Sequence, residues 1–324
     1  MTRRAASIGM ILAAMFPSGL RGEPDQAALL ERARAKIVEN IQRLPKYACL
    51  QTVHRSRSQT IPSVKMRSCG DWDDRAKMRW PLMLAWTDRF KADVTVSGGT
   101  EVFSWAVPQR FQSEDVEKIL SRGMTGSGDF GPFLMSIFDR EAARYEYQGL
   151  ESGKGPDLAV YRYRVPGSSS HYQVRVGPKA QDLATLAYEG RFWIDPRTAE
   201  LVRMTIEVPR PPRQAQTCRI ETTIDYRRAR IGASDFLLPL STVVRLSDPE
   251  GQRYENRIEY ASCREFQSES VFRTDVDLPS GPAATPKPPL PIGPGALVRV
   301  ALRSRIDSET AFAGDAIEGR LVNP

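Results

Sequence analysis

A chain of 324 residues with 41% apolar side chains can bury one large core or two smaller ones, so neither a disordered tract nor a short stapled module fits it. Its formal net charge of +7 is diffuse: 37 of the 46 cationic side chains are arginines spread along alternating segments, which excludes the clustered basic stripe of a nucleic-acid reader. Two histidines and four cysteines, none of the latter in a C-x-x-C pair, give zinc or dithiol-redox chemistry little support.

At the N-terminus, Arg3 and Arg4 precede an apolar run from Ala5 to Phe16. About twelve residues cannot cross a bilayer core of roughly 30 Å as a helix, and the pattern is that of a secretory signal peptide over residues 1–22. Gly19 and Gly22 are the candidate cleavage residues, although Pro17 and Leu20 suit the −3 position poorly. Loss of Arg3, Arg4 and Arg21 would lower the net charge from +7 to +4. No cysteine follows the apolar run, which argues against a lipid anchor. No second long apolar run exists, so the mature chain is expected to be soluble, without a transmembrane segment, and periplasmic or secreted.

Residues 25–44 read as an amphipathic helix. Leu30, Ile37, Ile41 and Leu44 form its apolar stripe, Pro24 suits its start and Pro45 stops it. From Tyr47 the period changes to two. Strands are expected at 47–58, 63–72, 75–80, 84–96 and 101–106, with turns at Pro62–Ser63 and Gly98–Gly99, and again at 144–151, 157–165, 171–177, 184–195, 199–208, 215–229, 236–247 and 252–266. Tyr161, Tyr163 and Val165 alternate with Arg162 and Arg164, and Val202, Met204, Ile206 and Val208 with Arg203, Thr205 and Glu207. Strands with one apolar and one charged face belong to an antiparallel sheet. Asp195-Pro196-Arg197-Thr198 is a turn with proline at its second position. The fold class is therefore mainly β (α+β): a large, curved antiparallel sheet, a half-barrel, over residues 23–277.

Residues 113–143 interrupt the strands. Ser113 caps a helix to Leu120, Gly123–Gly128 form a hinge, and Asp129 and Pro132 start a second, apolar helix holding Phe133, Leu134, Met135, Ile137 and Phe138. The glycines lack the lysine of a phosphate loop. Seven prolines between Pro279 and Pro294 make a semi-rigid linker over 278–295. A short, incomplete β segment at 296–324 packs on the main sheet, belongs to a truncated module or completes itself on a partner.

Four cysteines, Cys49, Cys69, Cys218 and Cys263, suit disulfides in an oxidising compartment. Cys49 and Cys69 flank an expected hairpin and so pair across it, leaving Cys218 and Cys263 to pair by elimination. A simple meander strains that second pair by placing its members at opposite ends of the sheet.

Catalytic constellations are absent from the sequence. His54 and His171 form no H-E-x-x-H, and Ser168–Ser170 before His171 lack the G-x-S-x-G setting. Scattered carboxylates leave a hydrolase only as a third reading. No catalytic residue, metal ligand or cofactor is therefore assigned. What remains is the concave face of the sheet, where Trp80, Trp86, Phe103, Trp105 and Trp193 lie on expected strands. The helix at Phe133–Phe138 would close over it. The candidate ligand-lining residues are Trp80, Phe103, Trp105, Phe133, Ile137 and Phe138.

Several segments carry a resemblance: Phe192-Trp193-Ile194-Asp195-Pro196 with Leu201-Val202-Arg203, and Tyr226 to Pro239 ending Asp235-Phe236-Leu237-Leu238-Pro239. With the order of elements, they resemble the LolA/LolB lipoprotein-carrier superfamily. The sheet, linker and small β piece also look like the periplasmic regulator of sigma-E signalling. Tyr47-Ala48-Cys49-Leu50-Gln51-Thr52, Gly126-Ser127-Gly128-Asp129-Phe130-Gly131 and Cys263-Arg264-Glu265-Phe266 are similar to a group of uncharacterised exported bacterial proteins. The resemblance spans roughly residues 25–275 and implies a non-enzymatic protein that binds acyl chains or a lipidated envelope partner. The alternative is an interaction module with a filled core and no ligand.

Overall fold

The computed structural model describes residues 25–61, 66, 68–72, 74, 81–97, 100–105, 129–138, 143–153, 155–176, 182–209, 211–265, 297–307, 310–312, 315 and 317–322. The expected signal segment, the strand at 75–80, the helix at 113–120, the glycine hinge and the proline-rich linker lie outside them. The first helix, α1 (Gln26–Arg43), starts at Asp25, whose carboxylate accepts the backbone N–H groups of Ala27 and Ala28. Pro45 ends it, as expected. Its buried spine is Leu29, Ala33 and Ile37 at i, i+4 spacing, with Leu30 and Ile41 only partly covered. The packed stripe is thus rotated from the Leu30–Ile37–Ile41–Leu44 reading.

Among the described residues, twelve strands follow before residue 266: β1 (Tyr47–Thr60), β2 (Leu82–Ser97), β3 (Thr100–Trp105), β4 (Arg144–Glu151), β5 (Leu158–Val165), β6 (Gln173–Val176), β7 (Asp182–Thr185), β8 (Tyr188–Asp195), β9 (Glu200–Val208), β10 (Arg219–Ile231), β11 (Ser234–Ser247) and β12 (Gln252–Glu265). A short helix, α2 (Pro132–Phe138), lies between β3 and β4. Ten strands form one antiparallel sheet in the order β3-β2-β1-β12-β11-β10-β9-β8-β5-β4, and β6 pairs with β7 as a separate hairpin. The sheet is open, with β3 and β4 as its edges. Ladder irregularities at Ala48/Leu50, Arg57/Ser58, Tyr147/Gly149, Trp193/Ile194 and Asp225/Tyr226 bend it into a half-barrel.

The alternation read from the sequence holds where it was cleanest: Tyr161, Tyr163 and Val165 are buried and Arg162 and Arg164 exposed. The outer face carries arginine–carboxylate pairs such as Arg164–Glu189 (2.8 Å), Arg203–Asp225 (2.6 Å) and Arg245–Glu255 (2.6 Å). Two departures are local. The segment expected as strand 184–195 divides into β7 and β8, because the Leu186 N–H turns to donate to Tyr172 O at 2.8 Å. Residues 68–72, expected in a strand, instead turn. Asp71 accepts the Ser68 N–H at 3.0 Å, and Trp72 N–H donates back to Cys69 O.

The disulfide pairing is corrected. Cys49 joins Cys263 with Cα atoms 4.0 Å apart, and Cys69 joins Cys218 at 5.0 Å. The hairpin that would have paired Cys49 with Cys69 does not exist. β1 runs on from Cys49 to Thr60, about 36 Å at ~3.3 Å per residue, before the chain reaches Cys69. Beside Cys49, β12 bulges: the register passes from Leu50↔Ala261 to Ala48↔Arg264, with Ser262 at φ +50°. Cys263 is thereby brought against β1. At the other end of the sheet, Thr60 N–H donates to Gly251 O, Cys218 N–H to Ser247 O, and Trp72 Nε1 to Asp248 O. The turn holding Cys69 therefore sits against the β11–β12 hairpin and the start of β10.

The β11–β12 ladder stops at Ser241↔Glu259, although both strands continue past it. Helix α1 fills in for the missing neighbour of β11. Asn40 Nδ2 donates to Leu237 O at 3.0 Å, and Leu237 N–H donates to Asn40 Oδ1 at 2.8 Å. One side chain thus satisfies two backbone groups that a strand would otherwise pair.

The C-terminal residues form a two-stranded ladder, β13 (Val300–Leu302) with β14 (Gly319–Leu321). Between them, Phe312 packs on the outer face of β1 and β2. It lies 5.4 Å from the His54 ring and beneath Arg89 and Lys91, and Lys91 pairs with Asp315 at 2.9 Å.

Candidate functional site

Topology makes the concave face the place to look. β3 and β4 are the two outer strands, so the chain joining them must pass from one edge of the sheet to the other. Helix α2 is the described part of that crossing. It joins no ladder and is held by side chains. Phe133 lies 5.5 Å from Tyr172 and 6.3 Å from Tyr188, and Phe138 lies 5.0 Å from Phe192. Arg34 Nε of α1 donates to Phe138 O at 3.2 Å, and the Tyr145 hydroxyl donates to Ile137 O. Phe133, Leu134, Ile137 and Phe138 are buried against β5, β8 and α1, while Met135 points outward.

Of the six residues expected to line a ligand, Phe133, Ile137 and Phe138 thus come together in one buried cluster. Phe103 packs, half-buried, on a second cluster around Phe90, Val94 and Phe130. Trp80 lies outside the described residues, and Trp105 ends β3 opposite Ala92 with its side chain undescribed. Trp193 is engaged elsewhere: its Nε1 donates to Glu151 at 3.1 Å. His171 is exposed in the connection before β6 rather than on a strand.

A cleft of about 530 Å³ opens beside this cluster, lined by Leu186, Tyr188, Arg164, Pro209 and Pro212 among others. Tyr188 belongs both to its wall and to the packing around Phe133, but no α2 residue lines it, and Arg164 and Glu189 of the outer face close its other side. A smaller cleft of about 290 Å³ marks the gap where β11 and β12 part, between Arg227–Arg230 and Tyr260–Cys263.

Between the two apolar clusters runs a buried polar strip that the sequence did not reveal. Asp129, expected to start α2, instead turns its carboxyl inward, where the Tyr260 hydroxyl donates to Oδ2 at 2.6 Å. Phe130 N–H donates to Glu101 Oε1 at 3.2 Å, and its ring packs on Tyr260 (4.7 Å) and Tyr47 (5.9 Å). Tyr226 belongs to the same group, since it feels the charges of Asp129, Glu101 and Tyr47. Burial raises the Tyr47, Tyr226 and Tyr260 hydroxyls above the ordinary phenol range, so all three are protonated donors at neutral pH. Burial likewise raises Tyr172 and Tyr188, each to about 12.

Burial also raises the Asp129 carboxyl above 3.8, against the opposing pull of Tyr260 and Thr242. A raised folded-state pKa means the folded chain holds its proton more tightly than the unfolded one. Stability from this group is complete below pH 3.8 and is lost as pH rises toward the folded value. Asp129→Asn keeps an acceptor for Tyr260 and removes the ionisation. Its melting temperature should exceed wild type at pH 7–8 and match it near pH 4, as read by calorimetry at both values. A variant less stable at pH 8 than at pH 4, relative to wild type, would contradict the burial argument.

Among the described residues, no group of three or more His, Cys, Asp and Glu is placed to hold a metal ion, and no helix is long and apolar enough to cross a membrane. No family model matches the chain, and no curated protein matches it. Solved structures are similar to it, three of which follow. One is a LolA superfamily protein from Nitrosomonas europaea, 12% identical over 75% of this chain and 94% of that one, with a TM-score of 0.34. The second is an outer membrane lipoprotein-sorting protein domain from Vibrio parahaemolyticus, at 11% identity, 75% and 95% coverage and a TM-score of 0.36. The third is a DUF1329 family protein from Desulfovibrio piger, at 13% identity, 74% and 95% coverage and a TM-score of 0.30.

Proposed function

We propose that this chain is an exported, non-enzymatic binding protein that takes an acyl chain, free or carried on a lipidated envelope partner, beneath α2. The observation that carries this reading is the way α2 covers the concave face. It is an apolar helix on the described crossing between the two sheet edges, and it is attached by side chains. An apolar ligand that displaces Phe133, Ile137 and Phe138 would replace their contacts with β5 and β8 by contacts of the same kind, at little net loss of buried area. The two disulfides favour an oxidising compartment. The sequence resemblance to lipoprotein carriers points the same way.

The competing reading, a packed interaction module, is favoured by the complete burial of Ile137 and Phe192. Titration with the neutral apolar fluorophore N-phenyl-1-naphthylamine separates the two. A carrier should bind it saturably, and Phe133→Asp should weaken binding at least tenfold while the circular-dichroism spectrum of the sheet persists. A filled core should bind none, and there the same buried, unpaired carboxylate should destabilise by several kcal/mol and unfold the protein.

A further inference from the structure

The polar strip contains something the lid reading does not use. Tyr47 and Tyr226 are 1% and 6% exposed, and their hydroxyls have no hydrogen-bond partner. A buried donor without a partner is destabilising, and such groups are rare unless something other than the resting structure satisfies them. Both hydroxyls stand on strands, β1 and β10, and Tyr260 stands on β12. Asp129, which accepts from Tyr260 and whose charge acts on Tyr226, arrives on the same segment as α2, three residues before its start. Were α2 to lift, Asp129 would leave with it, and Tyr260 would lose its acceptor as Tyr47 and Tyr226 already lack one.

We propose that Tyr47, Tyr226 and Tyr260 form a recognition site for the neutral carbonyl of an ester- or amide-linked acyl chain, a site in which Asp129 engages only Tyr260 of the three while α2 is closed. This rests on the carrier reading above and names its ligand class. A phenol hydroxyl can donate or accept, and the two without a partner can both donate to one carbonyl oxygen, which carries two lone pairs. An anion suits the place poorly. Among the described residues, no arginine or lysine acts on Asp129, and the other nearby charge, felt by all three tyrosines, is that of Glu101. The adjoining apolar cluster under α2 would take the chain itself.

The test uses competitors of matched length against bound N-phenyl-1-naphthylamine, with the full protein. Methyl laurate should displace the fluorophore about five- to tenfold better than 1-methoxydodecane, which lacks the carbonyl, and better than laurate at pH 8. Tyr226→Phe should erase the preference for the ester, leave the ether unchanged and keep or raise the melting temperature, because it removes a hydroxyl with no partner. Tyr47→Phe is the second variant and should act in the same way. Equal displacement by ester and ether, or equal weakening of both by the tyrosine variants, would overturn carbonyl recognition and leave the carrier reading standing. Laurate as the best competitor would mean a carboxylate site and overturn it as well. Failure of the fluorophore itself to bind removes the carrier reading, and this inference falls with it.

Discussion

A Cys49→Ala, Cys263→Ala double variant should melt about 8–16 °C below wild type, because that bridge closes a long loop in the unfolded chain. The two bridges are nested: Cys69–Cys218 spans a separation of 149 residues within the 214 spanned by Cys49–Cys263. With the inner bridge intact, the outer one closes only the stretch before Cys69 and the stretch after Cys218, roughly 65 residues, for which the chain-entropy model gives about 4 kcal/mol. At about 2–4 °C per kcal/mol for a domain of this size, the shift follows. The unfolding should stay cooperative, since β1 still pairs with β12 from Leu50 to Gln59. Calorimetry measures the shift, and a loss under 2 °C would mean the bridge contributes almost nothing. Non-reducing peptide mapping gives an independent check. It should recover Cys49 with Cys263 and Cys69 with Cys218, and a Cys49–Cys69 peptide would contradict the placement of β12 beside β1.

That pairing also marks where sequence reading fails. Alternation is a local signal, so β4, β5, β9 and the turn at Asp195–Thr198 were legible residue by residue. Neighbours in the sheet are not local. β1 lies beside β12, some two hundred residues later, and no pattern within either strand announces the other. Polar residues facing inward are misread for the same reason. Arg55 looks like a wet-face residue, yet it is 2% exposed, paired through Nε to Asp88 at 2.9 Å and placed over the rings of Trp86 and Phe90. Gln51 on β1, Thr242 on β11 and Asn256 on β12 are buried too. Their polarity assigns such side chains to solvent, although Gln51 and Arg55 share the parity of Cys49 and Val53, so the strip around Tyr260 and Asp129 stayed hidden. The apolar half was visible because Phe133, Ile137 and Phe138 repeat at helical spacing, and no local rule says otherwise.

Gly190→Ala should be the most damaging single change in the sheet, and the reason is space rather than backbone conformation. Gly190 sits on β8 without a positive φ, and a Cβ there would fall inside the contact radius of Thr205 O on β9, with Tyr163 Cε1 at 3.0 Å. The atoms in the way are fixed ones. Thr205 O accepts the Tyr163 hydroxyl at 2.8 Å, and Thr205 Oγ1 accepts the Arg191 N–H at 3.0 Å. β8 and β9 would have to part between Glu189↔Glu207 and Phe192↔Met204, in the middle of the larger core cluster. Overpacking at a rigid site of this kind costs at least about 3 kcal/mol, or about 6–12 °C in melting temperature. Gly232 supplies the control. It turns the β10–β11 hairpin at φ +61°, and its Cβ would meet only Glu265 Oε2 at 3.4 Å, so Gly232→Ala pays only for the left-handed conformation, about 1 kcal/mol. Equal losses from the two variants would show that the close approach at Gly190 is not what holds β8 against β9. Because β8 also carries Tyr188 and Phe192 beneath α2, Gly190→Ala should abolish binding of N-phenyl-1-naphthylamine, whereas Gly232→Ala should leave it intact.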